Sequence, residues 1–388
     1  MLRIILILMV CTLHACGRFD AIFAEGAAPD AARYAGMVLE SLSVVAVNTW
    51  VIMSGYLLLE KEFRLPRLFE LLATVIFYAA LGFLIVLLLA KTNATFSIVF
   101  SEEISRILSG GIFSAVQALF PISAEYYWFM TCYLLLYILT PVINKGARSL
   151  TKKQYRVMLV LLLIWNSLIK SFVPVNFVID NGGYDLKWFI CLYLIGAYFR
   201  LEEIGFGLIP SPKVDNRTAT GDVAPDQAEC TSNKVKIRKA TAAWAVYFCS
   251  VFMIYLISLI FYRANLSNGS FAYYMTVPLH YNYVLTLSGA CGLFLGFKKM
   301  KVKRGVFLNS VSRLAPHTLG VYLLHAHPLL FYTWTALTVH LTGSVPRNHA
   351  ALFILYVFAN IIVLFVCGII VDFLRSQCFL AAKKLFKK

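Results

Sequence analysis

Ten stretches of this chain are too apolar to be at home in water: residues 2–17, 41–59, 70–90, 127–143, 157–174, 186–200, 241–262, 274–296, 318–340 and 350–371. They cluster around the roughly 17–25 apolar residues that carry a helix across a bilayer. In hydrocarbon every backbone N–H and C=O must be satisfied within its own segment, so such stretches become helices. No alternating pattern of a β-barrel competes. Of the 388 residues, 60% are hydrophobic and 14% charged, which fits one membrane-embedded unit better than two or three soluble domains. The expectation is an all-α, polytopic bundle of about ten transmembrane helices, a single domain over residues 1–388. The first segment is short, because only two residues precede Arg3. Either that helix is tilted and incomplete, or the chain starts further upstream.

Lysine and arginine sort sharply between alternate loops. One side holds 27: Arg3, the trio Lys61, Arg64 and Arg67, five from Lys145 to Arg156, seven from Arg200 to Lys239, six from Lys298 to Arg313, and five from Arg375 onward. The other holds eight: Arg18, Arg33, Lys91, Arg106, Lys170, Lys187, Arg263 and Arg347. By the positive-inside rule the first side is cytoplasmic, and both termini with it. The net charge of +16 then calls for no nucleic-acid partner, because basic loops beside anionic headgroups account for it. Residues 210–239 are polar and nearly free of large apolar groups, and are expected to form a mobile cytoplasmic loop within the domain. No internal repeat suggests the inverted halves of a transporter.

The nine cysteines lie mostly inside apolar segments, where they pack as small hydrophobes, and no pairing suggests disulfides or a metal site. The seven histidines lack metal-ligand spacing; His325 and His327 point to nearly opposite faces of a helix. No metal and no bound cofactor are expected.

His14 has a distinctive position. It lies eleven residues after Arg3, which at 100° per residue brings both onto one helical face, about 16 Å apart along the axis. An imidazole at that depth faces the bundle, since lipid penalises it. Two plainer readings stand beside this one. Leu13-His14-Ala15-Cys16 has the outline of a lipoprotein cleavage box, and His14 would serve equally as an interhelical hydrogen bonder. After the second segment, Arg64 and Arg67 flank Pro66 at the start of the next helix. Free N–H groups, a positive dipole end and two arginines suit phosphate or pyrophosphate; positive-inside loop charge is the alternative. Ser54-Gly55 permits close backbone approach and lacks the turn that activates a nucleophilic serine. Trp50, Trp128 and Trp188 fit interfacial belts. Asp185 and Lys187 fit an outer-boundary pair.

Across these residues the chain resembles the acyltransferase-3 family of bacterial integral membrane acyltransferases. The resemblance runs through Arg3 and His14; "NTWVIMSGYLL"; Arg64-x-x-Arg67; "YYWFMTCYLLLYILTPVINK"; "WFICLYLIGAYFR"; and "LGVYLLHAHPLL". It implies O-acyl transfer, usually of acetyl, from cytoplasmic acyl-CoA to a hydroxyl of a cell-envelope or exported polysaccharide at the bacterial inner membrane. His14 would then be the essential catalytic residue, and Arg3, Arg64 and Arg67 would hold the acyl-CoA phosphates. His14 would either deprotonate the acceptor or carry the acyl group itself. Family members often carry a histidine just before the Trp-Phe of the fourth span, where this chain has Glu125. Glu125, Tyr322 and His325 are candidates for the acceptor side or for positioning a helix. No soluble domain follows the tenth segment, so a stand-alone membrane module is expected, with acyl-CoA, a carbohydrate acceptor and the bilayer as partners. The rivals are a transporter or flippase of a polysaccharide or lipid-linked sugar, in which His14 is a relay, and a membrane glycosyltransferase or polymerase.

Overall fold

Regular structure is helical throughout residues 1–21, 28–92, 121, 127–173, 181–206, 226–300, 305–328 and 330–385, which the computed structural model describes. In chain order the helices are α1 (Leu2–Arg18), α2 (Ala31–Ser43), α3 (Ala46–Leu58), α4 (Leu65–Thr92), α5 (Trp128–Ser149) and α6 (Lys152–Leu163). The last continues through a π turn at Ile164–Leu168 into Ile169–Phe172. Then follow α7 (Leu186–Ile204), α8 (Asp226–Asn268), α9 (Ala272–Thr276), α10 (Val284–Lys299), α11 (Val306–Leu314), α12 (Thr318–His325), α13 (Phe331–Thr342) and α14 (Ala350–Leu385). Of the expected loop at 210–239, residues 210–225 lie outside the described residues, and 226–239 are the helical start of α8.

Six spans rather than ten are long and apolar enough to cross a bilayer among the described residues: Ala31–Leu58, Leu65–Ile85, Trp128–Ser149, Lys152–Phe172, Ala240–Ser267 and Ala350–Ala381. This corrects the count of ten, and the reasons are physical. Helices α1 and α10 have only 17 and 16 residues. Helix α7 ends in Arg200, Glu202 and Glu203. The segment 318–340 breaks between His325 and Phe331, where Pro328 cannot donate to a helical ladder. Helices α1, α7 and α10 are apolar because protein surrounds them, and they supply much of the main core through Leu6, Cys16, Phe189, Tyr193 and Ala290. The expected 41–59 segment is part of a near-continuous 28-residue rod that starts at Ala31, about 42 Å long against a hydrocarbon core of about 30 Å.

Helices α3 and α7 pack backbone to backbone. A methyl group on Gly55 would overlap the Tyr193 carbonyl, and one on Gly196 would overlap the Ile52 carbonyl. Small residues at such crossings let two helices approach until their main chains touch. Trp188 belongs to this core rather than to an interfacial belt: it is 1% exposed and its Nε1 donates to Asn48 Oδ1 at 3.1 Å. The indole is buried because it finds a hydrogen-bond acceptor there. Asp185 caps α7 by accepting from the Trp188 N–H at 2.8 Å and lies 3.8 Å from Lys187.

Each end of the bundle is tied by charge. At one end Arg347 donates to Asp30 at 2.7 Å and to the Phe19 carbonyl at 2.9 Å, joining the loop before α14 to the ends of α1 and α2. At the other, Arg200 donates to Glu60 at 2.6 Å, Lys298 pairs with Glu203, and Lys152 lies 2.9 Å from Glu202. Hydrogen bonds from Tyr198 and Lys152 hold the Glu202 carboxyl below its ordinary range. These partly exposed pairs are each worth little, roughly 0–1 kcal/mol, and serve to register helix ends.

The α3–α7 contact yields a stability prediction. Gly55→Val should destabilise the bundle by about 3 kcal/mol, because neither backbone can yield. A melting temperature in detergent lowered by several degrees would agree, and an unchanged melt would contradict the packing.

Candidate active site

A cavity of about 1740 Å³ runs along one face of α1. Arg3, Ile7, Val10 and His14 all line it. Their spacings of four, three and four residues make one stripe on an α-helix. The opposite wall is built from α4, with Arg64, Pro66, Arg67, Glu70 and Thr74. Ser54 and Trp50 of α3, Trp128 and Tyr133 of α5, Tyr281, and Tyr322 of α12 complete it. Small-molecule sites run to roughly 300–1,000 Å³, so this cavity has room for more than one substrate at a time.

The ends of the cavity differ chemically. Arg3, Arg64 and Arg67 are all exposed, and they gather at the end where α1 and α4 begin. Arg64 precedes α4, whose first turn closes with the Arg67 N–H donating to the Arg64 carbonyl at 2.9 Å. Arg67 also lies 3.7 Å from Glu70. The arginine pair and the proline between them place a helix N-terminus at the cavity mouth, where an anion is favoured.

At the inner end, His14 Nδ1 lies 2.9 Å from His325 Nε2. His325 Nδ1 lies 2.7 Å from the Val321 carbonyl. A carbonyl only accepts, so His325 carries its proton on Nδ1, and in the neutral ring Nε2 is an acceptor. His14 Nδ1 then donates to it, which leaves the basic lone pair of His14 on Nε2. The result is a relay from backbone carbonyl through one imidazole to another, with the tautomer of each fixed by the next. Arg18, at the end of α1, donates to the carbonyl of His325 and so caps the C-terminal end of α12. His14 lies in the bundle interior and is only half-buried, with one flank on the cavity, whereas His325 is 3% exposed.

The structure therefore gathers Arg3, Arg64, Arg67, His14 and Tyr322 around one cavity, with His325 behind His14. The Tyr322 ring meets His325 edge-on at 6.0 Å. Glu125 lies outside the described residues. His325 and His327 do part company: His327 Nε2 donates to the Ala79 carbonyl of α4 at 3.1 Å. Ser54 donates to the Trp50 carbonyl at 3.0 Å, a packing role. The eight described cysteines are free, and the described residues contain no His, Cys, Asp and Glu cluster suited to a metal.

Three participants escape a reading of the sequence. Arg18 is an ordinary outer-loop cation until the fold brings it to α12. The His14–His325 contact joins positions 311 residues apart. Asp372 and Arg375 line the cavity from α14, although Arg375 counts as a tail charge by position. The available signal is an acid and a base three residues apart directly at the end of an apolar segment, since ionisable pairs at a span are seldom idle.

Comparison with known proteins adds the class of reaction. The family model described as an acyltransferase domain, that of acyltransferase-3, matches residues 1–372. No curated protein and no solved structure matches the chain. With its multi-pass helical architecture and a match that spans nearly its whole length, the chain belongs to the acyltransferase-3 family and is a membrane acyltransferase.

Proposed function

We propose that the protein moves an acyl group, acetyl by preference, from acyl-CoA to a hydroxyl of a cell-envelope or exported polysaccharide. The carrying observation is the single cavity with arginines at its mouth and His14 at its inner end. Arg3, Arg64 and Arg67 bind the phosphates of the donor, and its flexible arm covers the roughly 16 Å between Arg3 and His14. Arg3, Lys61, Arg64 and Arg67 all line one end of the cavity, so by the positive-inside rule that end faces the cytoplasm, with both termini on the same side of a bacterial inner membrane. Acyl-CoA is made in the cytoplasm, so the donor enters from that side.

Chemistry follows from the tautomer. His14 Nε2 takes the proton of the acceptor hydroxyl as its oxygen attacks the thioester carbonyl. The carbon–sulfur bond breaks, and the CoA thiolate leaves and takes up a proton. His325 holds His14 with Nδ1 as donor, as the partner of a catalytic base orients its ring. Aromatic rings line the cavity's inner end, and the low polarity of that wall strengthens each polar contact made there.

Three measurements test this reading on purified protein in proteoliposomes, with radiolabelled acetyl-CoA and a panel of glycans. His14→Ala should abolish label transfer while the protein stays in the membrane at wild-type level; retained transfer overturns the role. His325→Ala should lower kcat by about 10²-fold with little change in KM for acetyl-CoA, since it orients a base rather than binds the donor. An equal rise in KM would contradict that division. Arg64→Gln and Arg67→Gln should each raise KM for acetyl-CoA by about three- to tenfold, with a weaker dependence on salt than the wild type. Unchanged KM and salt dependence would remove them from the donor site.

A further inference from the structure

On α14, one turn apart, Arg375 and Phe379 both line the cavity, together with Ser376. The guanidinium is fixed from three directions. Its Nε donates to Asp372 Oδ1 at 2.8 Å, its Nη1 lies 3.4 Å from Thr74 Oγ1 of α4, and its Cζ sits 4.9 Å from the centre of the Phe379 ring. Asp372 is in turn held by Tyr78, whose hydroxyl donates at 2.9 Å, and by His317 at 2.7 Å. Asp372 is 3% exposed and Arg375 14%. Burying such a group is costly unless it is fully paired, and a pair kept inside a membrane-spanning helix marks a functional position.

Contacts identify the level of this cluster. Asp372 packs against Gly320 of α12, five residues before His325, about 8 Å along the helix. Arg375 lies one turn further along α14, against Thr74 of α4, which stands between Arg67 and the Ala79 that His327 bonds. A fourth arginine thus lines the cavity between His14 and the mouth, pre-oriented by a carboxylate and stacked on an aromatic ring.

We propose that this face of α14 is the nucleotide subsite of the donor: Arg375 hydrogen-bonds a phosphate and Phe379 stacks against the base. The assignment rests on the acyl-CoA reading above and deepens it. A guanidinium held in one plane is matched to phosphate oxygens and gives up little further freedom on binding. The Phe379 ring, with the guanidinium over it and Phe77 perpendicular at 5.9 Å, offers a base its remaining apolar surface for stacking. Asp372 keeps the fork aimed; it is a positioning residue that need not touch the donor.

The test compares two donors that share the thioester and differ in the nucleotide: acetyl-CoA and S-acetyl-pantetheine. Arg375→Gln should raise KM for acetyl-CoA by about tenfold or more and leave KM for S-acetyl-pantetheine unchanged. Arg375→Lys should recover part of the loss. Phe379→Leu leaves the Asp372 pair intact and should raise KM for acetyl-CoA alone, by a smaller factor. Equal effects on both donors, or on neither, overturn the nucleotide subsite. Wild-type protein that turns over S-acetyl-pantetheine but is indifferent to the nucleotide end also overturns it, while the acyltransferase reading survives. Wild-type protein that turns over neither thioester overturns the donor reading itself.

Discussion

A single hydrogen bond between two imidazoles, His14 of α1 and His325 at the end of α12, organises the inner end of the cavity. Its direction is set by the Val321 carbonyl, which can only accept. Each neighbouring element contributes to keeping it. Arg18 caps α12 through the His325 carbonyl. The break at Pro328 ends α12 right there, so that the imidazole side of the last turn faces α1. The cost of holding two polar rings away from water is met by their bonding to each other and to the main chain. Without α12 ending where it does, His14 would have no partner of fixed tautomer.

Around this pair the bundle separates two environments along one shaft. The mouth is cationic, with Arg3, Arg64 and Arg67 exposed and Arg375 largely buried on the cavity wall. The inner end is ringed by Trp50, Trp128, Tyr281 and Tyr322. Such a gradient suits a donor with a charged head and a flexible uncharged arm, which leaves its charge outside and delivers only its reactive end. The close α3–α7 contact and the ion pairs at each end of the bundle keep the walls in register. Rigid walls matter because a misplacement of about 1 Å between base and reacting atom can cost about 10²-fold in rate.

Much of this is legible in the sequence where the relevant physics is local. Eleven residues between Arg3 and His14 fix a shared helical face, and both side chains line one cavity. Arg64, Pro66 and Arg67 spell a basic helix start, and α4 begins there. The all-helical character follows from apolar length alone. What stays hidden depends on partners distant in the chain. Hydropathy cannot tell a helix that faces lipid from one wrapped by protein, so α1, α7 and α10 read as spans of the same kind as α14. Trp188 reads as an interfacial residue because nothing nearby reveals Asn48, 140 positions away. Arg375 reads as a tail charge until Asp372, Tyr78 and His317 are seen to close around it.

The account stands on the shaft bringing a thioester to His14 from the arginine side. A cryo-electron microscopy structure with a non-hydrolysable acetyl-CoA analogue tests this most directly. The account predicts phosphate density against Arg3, Arg64 and Arg67, and the acyl carbon within about 3–4 Å of the reacting atoms at His14. Analogue density on the opposite face, or a His14 ring closed off from the bound arm, would contradict it.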